Sequence, residues 1–289
     1  MTKIVRFSLP AALFVAFALS YGHASAQSAT SATPSPSPSP TPSTPSDPCG
    51  SILSIVTRPT VTTGVCTVRS HRALLETGYT NSTITGSAGG ETAQYPQAFL
   101  RLGTGDPHLE FSFSPPSSNV TSVGGATVGG TSDMNAGVKY ELGYNDKAVW
   151  GVNAQVSVPS GSHAFTAGVP QYVGNFNWSY TLNSEFSLAG TLGFNSLAGY
   201  TPSEQVQRYF AFIPSVELEA SLPANSQLFI EYAYFSQAGA GVGSRSLIDA
   251  GYQKDLSAHV QFDVEYGVQP TTLGGQRLHY IGAGLSFMN

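Results

Sequence analysis

The ionisable residues of this chain fall into a pattern before any fold is assigned. Glu76, Arg101, Glu110, Lys139, Glu141, Glu185, Glu217, Glu219, Glu231, Asp263, Glu265 and Arg277 share one parity in alternating stretches, most of them between apolar neighbours, and acids outnumber bases among them. Gathered around one passage, such a set could do one of two things. Rings of charge would select ions or guide a polar solute. Ion pairs would instead fill a narrow interior. A second candidate chemistry is nucleophilic. Ser160, Ser162 and His163 lie within four residues of one another, and a serine with a nearby base is the requirement for acyl transfer. Adjacency in sequence is not a catalytic geometry, however, and no third group completes the set, so no catalytic residue is assigned. Gly239-Ala240-Gly241-Val242-Gly243 has the glycine density of a phosphate-binding loop, but no helix pattern follows it, and it reads as a flexible loop. No spacing of Cys, His, Asp or Glu suits a metal, and no cofactor is expected.

The elements that must position these residues are strands. From Asp133 to Gly161 the even positions carry Met134, Ala136, Val138, Tyr140 and Leu142, then Ala148, Trp150, Val152, Ala154, Val156 and Val158. The odd positions carry Asn135, Lys139, Glu141, Asn153, Gln155 and Ser157. Side chains alternate faces along a strand, so each segment has one apolar and one polar face. Two strands of about ten residues around a short turn are the repeating unit of a transmembrane β-barrel.

Composition points the same way. Of 289 residues only 10% are charged, against roughly 25% in water-soluble domains. Lipid requires no charge on the outside of a protein, and a lumen can be polar without it. No run of eighteen or more apolar residues follows the N-terminus, which argues against a helical membrane protein. No Lys/Arg cluster offers a footprint for nucleic acid.

Residues 1–26 have the charged start, apolar core and Ala24-Ser25-Ala26 cleavage site of a secretory signal peptide. Residues 27–48 are nearly all Ser, Pro, Thr and Ala. They are expected to be a disordered linker with polyproline II character, reaching about 70 Å when extended. Cys49 and Cys66 are the only cysteines. In an exported protein a disulfide is expected between them, stabilising by about 3 kcal/mol in the chain-entropy account. Residues 49–71 then form a closed segment that either plugs a lumen or caps its mouth.

About twelve strands follow, near 72–80, 95–103, 107–114, 133–143, 147–158, 171–181, 185–195, 206–220, 227–236, 245–253, 257–268 and 276–288. The first and tenth alternate poorly, and Pro214 falls inside the eighth, where it removes a ladder bond. Connections near 103–107, 143–147, 182–184, 221–226 and 253–256 are short. Those near 81–94, 115–132, 159–170, 196–205, 237–244 and 269–275 are longer. Outer-membrane barrels with both termini in the periplasm show this alternation. Several apolar faces end in aromatics, such as Tyr172 with Tyr180 and Phe186 with Phe194, as at membrane interfaces. The last strand, Tyr280 to Asn289, resembles the C-terminal recognition signal of bacterial outer-membrane barrels through Gly282, Leu285 and Phe287, with Met288 and Asn289 added after the usual final aromatic.

One family shares short motifs with this chain. Asp133, Gly137-Val138-Lys139-Tyr140 and Val158-Pro159-Ser160-Gly161 resemble the core of the outer-membrane transporter family labelled MetA-pathway of phenol degradation. Arg58-Pro59-Thr60, Cys66 and Leu75-Glu76-Thr77-Gly78-Tyr79 are similar in character. The resemblance spans most of residues 49 to 289. It implies a barrel and uptake of small, aromatic or hydrophobic compounds, and it brings no binding residues to carry over.

The expectation is therefore an all-β, transmembrane, antiparallel up-and-down barrel over residues 72–289 in the outer membrane of a Gram-negative cell. The linker and short turns would be periplasmic and the long loops extracellular. Its partners would be outer-membrane lipid, the barrel-assembly machinery and a small-molecule solute, with no nucleic acid and no set oligomeric state. The leading function is passive or facilitated passage of small solutes. The alternatives are a structural or surface-interaction barrel with an occluded lumen, and an outer-membrane lipid hydrolase.

Overall fold

A computed structural model describes residues 47–86, 89–201, 203–271 and 275–289. The expected signal peptide and residues 27–46 of the expected linker lie outside the described residues.

The chain forms β1 (Ala73–Thr85), β2 (Gly90–Tyr95), β3 (Phe99–Gly103), β4 (Leu109–Ser114), β5 (Ser118–Val123), β6 (Ala126–Thr131), β7 (Met134–Tyr144), β8 (Ala148–Val158), β9 (Gln171–Thr181), β10 (Phe186–Tyr200), β11 (Val206–Leu222), β12 (Ser226–Phe235), β13 (Arg245–Ser257), β14 (Val260–Val268) and β15 (Arg277–Met288). All fifteen lie in one antiparallel sheet. The sheet closes where β15 pairs with β1 along its whole length, from Leu74↔Met288 to Thr85↔Arg277.

Three wall strands are each broken in two, so the fifteen segments make a barrel of twelve. β2 and β3 both pair with β1, one at each end, and the break between them falls at Pro96 and Gln97. β4 and β5 are separated by Pro115 and Pro116, which have no N–H to give a ladder. β6 and β7 break opposite them, at Ser132 and Asp133.

The alternation decides which face meets what. Phe111 is 55% exposed and the adjacent Glu110 is 1% exposed. The same inversion runs round the barrel: Leu142, Phe176, Leu192, Phe210, Ile230, Tyr266 and Ile281 face out, while Glu141, Asn175, Thr191, Glu231 and Glu265 are buried. A polar interior within an apolar exterior is the arrangement a bilayer demands. Tyr172, Tyr180, Phe186 and Phe194 are all exposed on the outer face, and Phe194 stacks against Phe212 of the next strand at 5.3 Å.

Two of the expected long connections are largely strand. Residues 80–84 and 90–94 pair as the upper ends of β1 and β2, and β5 and β6 form a hairpin closed by Gly124-Gly125. Both glycines have positive φ, 58° and 83°, as a two-residue hairpin turn requires. Pro214 interrupts the β11–β12 pairing near one end. Phe212 N donates to Ser236 Oγ (2.8 Å) and Phe212 O accepts from Ser236 N (3.0 Å), so residues of this parity face β12. The β11–β12 ladder begins only at Ser215↔Ala233. The missing N–H of Pro214 therefore faces β12 and removes one bond between that ladder and the in-register Phe212–Ser236 pair.

Candidate functional site

The lumen is occupied by the chain's own N-terminal segment. From Ile52 to Thr63 every residue is buried. A four-residue helix, α1 (Ile52–Ile55), opens it, and Ser51 caps that helix through a reciprocal Ser51–Ser54 capping box. The disulfide Cys49–Cys66 closes the segment at its base. There Ile52, Ile55, Val56, Val65 and Val68 pack with Leu74, Val149 and Met288 of the wall. This apolar layer lies at the end of the barrel that carries the short turns and the C-terminus. Asn289 N donates to Ala73 O, and Arg69 pairs with Asp47 and donates to Pro107 O in the 104–108 turn.

Above it lies a charged layer. Arg101 is fully buried and uses all five of its N–H groups. Its Nε and Nη2 clasp both oxygens of Glu110 at 2.8 Å. Nη1 donates to Glu76 Oε1 (3.1 Å) and to Ile55 O, and Nη2 also donates to Cys66 O (2.8 Å). Lys139 lies 3.8 Å from Glu110 and donates to Cys66 O. Glu141 takes Arg69 and His108, each at 3.3 Å. On this side of the barrel the acids are matched by bases, and two of those bases hold backbone carbonyls of the segment.

The amides of the segment are met by side chains of the wall. Thr57 N and Arg58 N donate to Glu76 Oε2 (3.0 and 2.9 Å). Val61 N donates to Glu231 Oε2 (2.7 Å) and Thr62 N to Glu231 Oε1. Thr63 N donates to Thr191 Oγ1 (2.7 Å), and Val68 N to Glu110 Oε2 (2.7 Å). A segment without a sheet partner must satisfy its buried N–H groups somewhere, and here carboxylates and a hydroxyl take that role. Asn175 Nδ2 adds a bond to Thr63 Oγ1 (3.1 Å), and Thr62 Oγ1 bonds Ser215 Oγ (2.7 Å).

Towards the long-loop end the inward face changes character. Leu197, Ala211, Ile213, Ala233, Phe235, Leu247 and Leu278 form a buried apolar belt, with Ile84, Val173, Tyr209 and Tyr280 packed against it. Val61 at the tip of the segment joins the belt from below. Two loops close over this end. In 236–244, Ala238 and Ala240 are buried, and Gly239 bridges to Val242, so the glycine-rich stretch is packed rather than open. In 159–170, Asp133 Oδ1 accepts from Ser160 N (3.0 Å) and Gly161 N (2.8 Å), and Oδ2 accepts from Thr166 Oγ1 (3.0 Å). Asp133 and the Val158–Gly161 stretch thus form one device that folds the loop inward, burying Phe165 and Ala167.

The expected lumen residues divide. Glu76, Arg101, Glu110, Lys139, Glu141, Glu217, Glu219, Glu231, Asp263 and Glu265 are all buried on the inward face. Glu185 is exposed in the turn before β10. There the alternation of β10 was carried one residue past its start at Phe186. Arg277 is also exposed, because the inward parity of β15 is that of Leu278, Gly282, Gly284 and Ser286. Gly282 faces in, and Leu285 and Phe287 face out to lipid. Ser160 Oγ accepts from Met134 N, and Ser162 Oγ from Thr131 N. His163 lies against Tyr200, ring centroids 6.4 Å apart, so the three hold loop structure. Sequence reasoning missed Arg58, Gln97, Asp249 and Gln253. Asp249 was findable as the inward parity of β13, between Leu247 and Gly251.

Comparison with known proteins agrees with this geometry. A family model described as "Putative MetA-pathway of phenol degradation" matches residues 57–287. Among solved structures the chain is similar to the COG4313 outer membrane channel from Pseudomonas putida F1, with a TM-score of 0.62 at 10% identity over 78% of this chain and 98% of that one. It is also similar to the NanC porin, with a TM-score of 0.50 at 9% identity over 73% and 98%. At these identities the likeness is one of fold. No curated protein matches the chain.

Proposed function

The chain belongs to the MetA-pathway of phenol degradation family, and from that premise we propose that it is an outer-membrane channel for small apolar or aromatic solutes, closed at rest by residues 49–71. The observation that carries the solute class is the apolar belt on the inward face. A lumen meant for water and sugars has no use for Leu197, Phe235, Leu247 and Leu278. A small aromatic entering there would gain about 25 cal/mol per Å² of apolar surface removed from water. The belt meets the tip of the plug at Val61, so a solute that has passed the two loops and reached the belt would press on the segment that bars its way.

In this reading both termini and the short turns are periplasmic, and the long loops are extracellular. The plug then enters from the periplasmic side. A second reading, a structural barrel with a permanently occluded lumen, draws support from how completely the segment's amides are satisfied.

Uptake in porin-deficient cells expressing the barrel separates the two. A radiolabelled monocyclic aromatic should enter faster than a sugar of equal size, and replacing Leu197, Phe235 and Leu247 together with Asn should abolish the difference. Equal entry of both solutes would remove the apolar class. Entry of neither would favour the structural reading.

A further inference from the structure

We propose that Gly78 and Gly284 form a seat in the barrel wall for the Arg58 guanidinium, and that this seat is the latch holding the N-terminal segment across the lumen. The inference rests on reading residues 49–71 as a plug.

Gly78 and Gly284 are direct partners across the β1–β15 ladder that closes the barrel. Both have inward parity, next in line to buried Glu76 and Ser286. Two missing side chains opposite one another leave a recess of bare backbone, and the Arg58 side chain lies in it. A Cβ built on Gly78 would fall on Cζ and both Nη atoms of Arg58, and one on Gly284 would fall on Arg58 Nε and the Asp263 carboxylate. Neither clash is with a loose chain end, because the guanidinium is held on three sides. Nη1 donates to Gln97 Oε1 (2.8 Å), Nη2 donates to Ala283 O (3.3 Å), and Nη2 lies 3.5 Å from Asp263 Oδ1.

The surrounding wall is shaped for the same purpose. Gln97 stands in the break between β2 and β3, and its own N donates to Gly78 O (2.8 Å). An unbroken strand would not free that side chain in the same way. The backbone of Arg58 is held by two strands of the wall. Its N donates to Glu76 on β1, and its O accepts from Gln253 Nε2 on β13 (2.7 Å). Arg58 thus ties the plug to the quarter of the wall between β13 and β1. The guanidinium is 4% exposed and Asp263 is 0% exposed. Withdrawing Arg58 would take a cation away from a buried carboxylate, the costly outcome for a buried pair. A lysine could supply the charge but not the planar fork that spans Gln97, Ala283 and Asp263.

The alternative is that small residues at the seam serve only wall packing. Amide hydrogen exchange on the full-length, refolded barrel distinguishes the two, because residues 57, 58 and 61–63 of the plug donate to wall side chains. Arg58→Ala, Gly78→Ala and Gly284→Ala should each speed exchange across residues 57–63 by at least about tenfold and leave β8 to β10 unchanged. Arg58→Lys should give an intermediate effect. In the Gly78→Ala/Arg58→Ala double variant the two effects should not add, since both remove one interaction.

Wild-type exchange in Arg58→Ala, which alters no wall residue, would overturn the latch. Additive effects in the double variant would do the same. Single-channel conductance of the same variants tests the function separately. Faster exchange with no new conductance would keep the latch and remove the channel reading.

Discussion

Arg101 shows how much a single side chain carries in this interior. Its five N–H groups join β3 to Glu110 on β4, to Glu76 on β1 and to two carbonyls of the plug. Buried ion pairs are weak evidence of net stabilisation, but removing one partner leaves the other charge stranded at a cost of about 3–5 kcal/mol. Arg101→Met should therefore lower the stability of the refolded barrel by about that amount, read as a shift in the urea midpoint. Arg101→Lys should recover less than half of the loss, because lysine cannot form the fork on Glu110. A neutral Arg101→Met would mean the network is ornamental. Most of this layer was legible from alternation, since each charged residue sits between outward apolar neighbours. Glu185 was misplaced because alternation does not say where a strand begins, and Arg277 because it has the outward parity of β15. Arg58 was legible only as part of the Arg58-Pro59-Thr60 motif and without a role: it lies in a segment with no period, and its guanidinium meets Gln97, Asp263 and the Ala283 carbonyl, all distant in sequence.

The strands within the membrane could be read from sequence because lipid on one side and a polar lumen on the other force a period of two. The upper parts of β1 and β2, and the β5–β6 hairpin, could not. Their Ser-, Thr- and Gly-rich residues show no apolar face, and a hairpin beyond the lipid needs none. Pro214 reads in sequence as the loss of one ladder bond, and the β11–β12 pairing does continue past it to Phe212 and Ser236. Pro214→Ala should restore a donor there and raise the unfolding free energy by about 1 kcal/mol. An unchanged or lowered value would mean that the proline costs the ladder nothing. At the other end, the disulfide sets the base of the plug. Cys49→Ser/Cys66→Ser should weaken that base by up to about 3 kcal/mol, seen as faster exchange at Val56 N, which donates to Ile52 O (2.9 Å). The belt residues should stay as protected as before. Unchanged exchange at Val56 would mean that packing alone holds the base.

As a whole, the molecule is a barrel whose interior is stratified: an apolar base, a charged middle and an apolar belt under the long loops, threaded by one segment that touches all three. The membrane barrel and the disulfide pair followed from composition, alternation and compartment. That residues 49–71 fill the lumen rather than cap it did not, because a threonine-rich run offers donors and acceptors without naming their partners. The central claim is that this segment closes a passage. The most direct test is conductance of the refolded protein in a planar bilayer, with and without residues 27–70. The account predicts little or intermittent current from the full chain and a steady open conductance from the shortened one. An equally silent, correctly folded barrel after removal of the segment would contradict it.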